Sequence, residues 1–125
     1  MLEYTSCLFA SVVIHACYAR LLIYHHLFLA VTILSILNHS TRDPTINKID
    51  TILAHLAYVW ILLETPFVIS KGAFWLVIFP ICVGSLWITE AHQTLEREEI
   101  HAALHCVSVV GLHAYMYILY GNTAV

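Results

Sequence analysis

An all-α fold, a polytopic transmembrane helix bundle of about five spans, is what this sequence predicts, on three observations. The 125-residue chain is 61% hydrophobic and 10% charged, with a mean hydropathy of +0.84. Soluble domains carry about 25% charged residues, so too few charges are present here to coat a water-facing surface. Apolar runs near the ~20 residues that a membrane-spanning helix needs recur along the chain. Short polar bends such as STRDPTIN and HQTLEREE separate them.

Taken in order, the first run covers residues 2–19, and Arg20 interrupts it. The N-terminus MLEYTSC has an acid where a secretion signal wants basic residues, so this run is expected to be retained. The second covers residues 21–40. Asp43-Pro44 then reads as an N-cap followed by proline in the first turn, which starts the third run at residue 44. It is expected to end or kink at Thr65-Pro66, because proline disfavours helix in the residue before it. Ser70-Lys71-Gly72 makes the turn, and the fourth run covers residues 73–90 with Pro80 in its middle. Helices in lipid tolerate such a proline when neighbours re-satisfy the freed carbonyl. Thr94 is a candidate N-cap for the fifth run, residues 95–120, with Glu96, Glu98 and Glu99 near its positive end. Gly121-Asn122 closes it, and Tyr115, Tyr117 and Tyr120 fit an interfacial aromatic belt. The whole, residues 1–125, reads as one domain.

Five spans carry a consequence. The second run ends, and the third and fifth begin, on the membrane face that holds the N-terminus. Ser35, His39, Asp50, His101 and His105 therefore fall near one face. Asp50 lies six residues past Pro44, about 9 Å into its helix at ~1.5 Å per residue. His101 lies about as far past Thr94. One span more or fewer between them would put the two groups on opposite faces.

Ser35 with His39, and His101 with His105, stand at i and i+4 and so share a helical face. Three imidazoles with an open fourth position is the ligand set of a catalytic zinc ion. The pair HAALH lacks the glutamate of the HExxH proteases, so that class is not supported. The other six of the nine histidines have plainer readings. His25 and His26 read as interfacial. His15, His55 and His113 read as hydrogen-bonded within spans, and His92 as a group at the mouth of the site. Ser35 could simply bond back to its helix. Asp50 could simply favour its helix dipole. Arg42 and Lys48 read as interfacial anchors. The four cysteines show no metal-binding spacing and read as small buried hydrophobes. A net charge of −3 with five Lys and Arg argues against nucleic acid as a partner. Arg42, Lys48 and Arg97 on one face against Arg20 and Lys71 on the other leave orientation open.

The combination S-x-x-x-H, an aspartate eleven residues on, and H-x-x-x-H in the last helix resembles the CREST superfamily of membrane hydrolases. That group includes the alkaline ceramidases, the adiponectin receptors and the lipid hydrolases that remodel GPI anchors. The bend HSTRDPTINKID is similar to the GPI-remodelling branch, and HAALH to the ceramidase ending. The resemblance covers about a third of the chain, in a shortened form. The family typically has seven spans, so two helices that would wall a substrate cavity are missing from the five read here. Glu3 stands alone where some ceramidases have an acidic calcium cluster.

The resemblance implies a zinc-dependent lipid hydrolase acting on an amide or ester bond. His39, His101 and His105 would hold Zn2+. Asp50 would move the water's proton, and Ser35 would bond the water or the developing oxyanion. A lipid substrate, a membrane location and a second copy or partner subunit follow as expectations. Three rivals stand beside it. One is a haem-binding anchor using His15, His55 or His113. Another is a receptor or accessory subunit that keeps the zinc site structurally and turns over nothing. The third is a non-catalytic helical subunit of a larger membrane complex.

Overall fold

The computed structural model describes residues 2–92 and 97–120. These are almost wholly helical, with no strand among them. Six α-helices follow in order: α1 Leu2–Cys7, α2 Phe9–Tyr18, α3 Leu22–Thr41, α4 Pro44–Ser70, α5 Ile78–His92 and α6 Arg97–Tyr120. A 3-10 turn over Phe74–Val77 leads into α5. Thr94, Leu95, Glu96, Gly121 and Asn122, and the side chain of Glu3, lie outside the described residues.

Among the described residues, four helical segments are long and apolar enough to cross a membrane: Leu22–Thr41, Pro44–Ser70, Phe74–His92 and Arg97–Tyr120. The first run differs from the five-span expectation. It is interrupted at Leu8, and its apolar part, Tyr4–Tyr18, falls short of the ~20 residues a span needs. Its direction still alternates with the others. The α1 end meets the end of α3 and the start of α6, through Ser6–Ser35 and Thr5–His105 contacts.

Local chemistry sets the bends. After α2, Arg20 adopts the left-handed conformation (φ 57°). Leu21 N–H then reaches Ala16 O at 2.8 Å and Arg20 N–H reaches Cys17 O at 3.2 Å, the paired bonds of a Schellman ending. Arg42 (φ 56°) ends α3 in the related way, its N–H on Asn38 O at 2.9 Å. Asp43 then caps α4, its Oδ1 accepting from Thr45 N–H at 2.8 Å and Ile46 N–H at 3.2 Å. Pro44 occupies the first turn as expected. The α3–α4 bend is thus as short as Arg42-Asp43, and it folds the two helices back on each other.

Two prolines lie inside helices. Pro66 does not end α4, which continues to Ser70 before Gly72 turns at φ 84°. Pro80 sits in the first turn of α5, not mid-span, and its absent N–H costs nothing there. The tyrosines differ from the aromatic-belt expectation. Tyr115 is fully buried with its hydroxyl 3.0 Å from Thr65, and Tyr120 donates to Glu64 at 3.1 Å. A phenol that is turned inwards needs a polar partner, and α4 supplies both, so of these three tyrosines only Tyr117 stays exposed. Cys7, Cys17 and Cys106 face outwards instead of into the core. The outside they join is apolar, carrying Leu62, Leu63, Phe67 and Trp75 among other exposed large side chains.

α6 is the central helix: half of its apolar window is buried, against 17% for α4 and for the α5 segment. Gly111 lets α5 approach it. A Cβ built there would lie 2.9 Å from the Phe79 Cβ and Cγ. Small residues at helix contacts serve this purpose where lipid surrounds a bundle. Gly111→Ala should therefore push α5 off α6 and cost about 1–3 kcal/mol. A lowered thermal midpoint in detergent would show it, and an unchanged one would mean that Phe79 gives way freely.

Candidate metal centre

The site lies at the end of the bundle where α1, α3, α4, α5 and α6 meet. His39 is on the last turns of α3, and His101 and His105 on the first turns of α6. One ring nitrogen from each of the three can be chosen so that all lie within 4.8 Å of one another. The ring centroids are 4.6 to 5.6 Å apart. His105 is buried, and the Nε2 atom of His39 is buried as well. Such a set can hold a metal ion. It is the only such group of three or more metal-binding side chains found among the described residues. The three histidines named from the sequence are the three that converge.

Ser35 and Asp50, the other two residues singled out, line the same cavity, of about 900 Å³. Both are buried, at 3% and 9% exposure. A carboxylate this deep needs a donor, and Asn38 Nδ2 supplies it at 2.9 Å while also reaching Asn47 Oδ1 at 3.1 Å. Asn38 thus ties the two arms of the α3–α4 hairpin across the bend and holds Asp50 in place. It stands three residues after Ser35 and so on the same helical face. That spacing could have identified it.

Two further partners escape a linear reading. Glu90, near the end of α5, lies 2.7 Å from His101 Nδ1. Thr5, on α1, lies 2.8 Å from His105 Nδ1. The only sign of Glu90 in the sequence is an acid closing an apolar run that must end on the histidine face. Thr5 gave no sign. His92, expected at the mouth, is exposed at the end of α5, and the inward-turned group of that helix end is Glu90.

With the Thr5 and Ser6 hydroxyls both donating to the Leu2 carbonyl, the other hydrogen-bond directions follow. Thr5 donates its hydroxyl hydrogen to Leu2 O at 3.1 Å, so its oxygen accepts from His105 Nδ1–H. Ser6 donates to Leu2 O at 2.7 Å, so it accepts from Ser35 at 2.8 Å. Ser35 has then given away its one hydrogen and offers lone pairs only. The Glu90 carboxylate accepts from His101 Nδ1–H. On both α6 imidazoles Nε2 is left as the nitrogen with a lone pair.

The remaining histidines serve local bonds. His15 and His113 meet with Nδ1 atoms 2.8 Å apart and rings stacked at 5.1 Å, which leaves no room for a macrocycle between them. Ser11 holds the other nitrogen of His113 at 2.8 Å. His55 bonds Thr51 O at 2.7 Å and stacks on Trp87. His26 bonds Leu22 O at 2.8 Å.

With this geometry in hand, comparisons with family models, with curated proteins and with solved structures find no match for the chain.

The Asn38–Asp50 pair gives a direct test. Asn38→Ala leaves a buried carboxylate without its donor and should cost about 1–3 kcal/mol. In a double-mutant cycle with Asp50→Ala the coupling should reach about 0.5–1.7 kcal/mol. Additive effects on the thermal midpoint would show that the pair is not coupled.

Proposed function

We propose that this chain is a membrane-embedded, zinc-dependent hydrolase that cuts an amide or ester bond of a lipid. The convergence of His39, His101 and His105, with ring nitrogens within 4.8 Å of one another, carries the reading. Neutral imidazoles are nitrogen donors that zinc favours, and three of them leave its fourth position open, as catalytic sites do. The donor set fits the ion, because His101 and His105 each keep Nε2 available. Bound there, zinc would supply a Lewis acid and a water acidic enough to ionise near neutral pH.

The chain's own residues would do the rest. Asp50 has one carboxylate oxygen taken up by Asn38, and the other remains to accept a proton from water and hand it to the leaving group. Ser35, having given its hydrogen to Ser6, would accept a hydrogen bond from that water and orient it. This narrows the role implied by the resemblance, since a hydroxyl turned this way does not donate to an oxyanion. The lower part of the cavity is lined by Phe28, Val31, Ile61, Val83 and Leu112, walls that suit an acyl chain. Arg42, Arg97 and Glu98 line it towards the polar end, where a lipid's head would lie. The apolar outer surface would let such a substrate enter sideways from the bilayer.

Metal analysis of the purified protein tests the reading. The wild type should hold about one zinc per chain, and His105→Ala should hold far less. Zinc that stays stoichiometric in both His101→Ala and His105→Ala would refute this ligand set. Asp50→Asn should keep its zinc yet lose about 10²- to 10⁴-fold in hydrolysis of a panel of fluorescent acyl amides and esters. Zinc-loaded wild type that turns over none of them would sink the enzymatic part of the proposal.

A further inference from the structure

Resting on the metal reading above, we infer that Glu90 and Thr5 are positioning residues of the centre. Each holds one imidazole by its Nδ1–H so that Nε2 faces the ion.

An imidazole has two nitrogens, and a neutral ring carries its proton on either one. It can also turn over about its Cβ–Cγ bond. The i,i+4 spacing of His101 and His105 brings the two rings together but selects neither tautomer nor orientation. The 2.7 Å contact with Glu90 selects both for His101, because a carboxylate only accepts. The 2.8 Å contact with Thr5 selects both for His105, because Thr5 has already spent its hydrogen on Leu2 O. Histidine ligands generally give their second nitrogen to such a partner, most often a carboxylate, a carbonyl or water. Here the partners come from α5 and α1, helices that contribute no ligand.

Charge adds a second reason for Glu90. A divalent ion on three neutral imidazoles carries two positive charges into an apolar bundle, where uncompensated charge is costly. Glu90, Asp50 and Glu98 set three carboxylates against Arg42 and Arg97 in the same cavity, and of the three Glu90 is the one bonded to a ligand imidazole, His101. Thr5 brings no charge. The two positioning residues should therefore differ in a measurable way: Thr5 acts by orientation alone, and Glu90 by orientation and charge.

The full chain in detergent, stripped with a chelator, is titrated with Zn2+ against a competing dye and with Co2+ followed by visible absorption. Wild type and His105→Ala are the references, and His92→Ala, an exposed neighbour outside the cavity lining, is the control. Glu90→Ala should bind Zn2+ about 10–100-fold more weakly. Glu90→Gln, which keeps an acceptor oxygen and loses the charge, should fall between. Thr5→Val should weaken binding and alter the Co2+ spectrum, while Thr5→Ser should restore both. His92→Ala should match wild type. Should Glu90→Ala not fold, Glu90→Gln and the Thr5 pair decide the matter. If wild type binds and His105→Ala does not, yet Glu90→Gln and Thr5→Val bind like wild type, the positioning roles are overturned and the metal centre stands. If wild type takes up neither ion, the metal centre itself falls, and this inference with it.

Discussion

Polar atoms enclosed in an apolar bundle must find partners among themselves, and that constraint organises this protein. Hydrocarbon offers no hydrogen bonds, and each unsatisfied polar group in it costs several kcal/mol. Ser6, Ser35, Asn38, Asp50 and His105 are all buried at one end of the fold. They are tolerated because each has a partner on another helix: Ser6 with Ser35, Asn38 with Asp50, Thr5 with His105. The bonds that satisfy these groups also pin α1, α4 and α6 around the end of α3.

The same bonds make the site directional. One backbone carbonyl, Leu2 O, takes the hydroxyl hydrogens of both Thr5 and Ser6. From that single acceptor the proton order propagates to His105 and to Ser35. Lone pairs consequently point into the cavity from two different helices. A short helix that does not itself reach the length of a span thus sets the chemical character of two longer ones. The opposite end of the bundle uses the same device without a metal-ligand set, Glu64 and Thr65 on α4 receiving the hydroxyls of Tyr120 and Tyr115.

Packing places these groups. α6 lies at the centre, and Gly111 lets α5 come close enough to bring Phe79 against it. That approach also brings Glu90 to His101, eleven positions apart across the α5–α6 connection. The cavity takes its walls from α3, α4, α5 and α6. His39, Asp50 and the α6 pair are far apart along the chain, and they meet because the helices alternate in direction.

Much of this was legible in the sequence. Low charge and long apolar runs determined a helical bundle with lipid-compatible faces, because few other ways exist to bury or shelter so many apolar side chains. Asp43-Pro44 determined where α4 begins, and alternation of runs determined that Ser35, His39, Asp50, His101 and His105 share one end. Local and periodic signals suffice for such facts. The tertiary structure alone decided the rest: the break at Leu8, the inward turn of Tyr115 and Tyr120, the early place of Pro80 in α5, and the partners Asn38, Glu90 and Thr5. Each of these depends on which atoms of distant helices come within hydrogen-bond or van der Waals reach. A linear pattern can bring two rings to one face, but only packing determines which nitrogen of each ring is left for an ion.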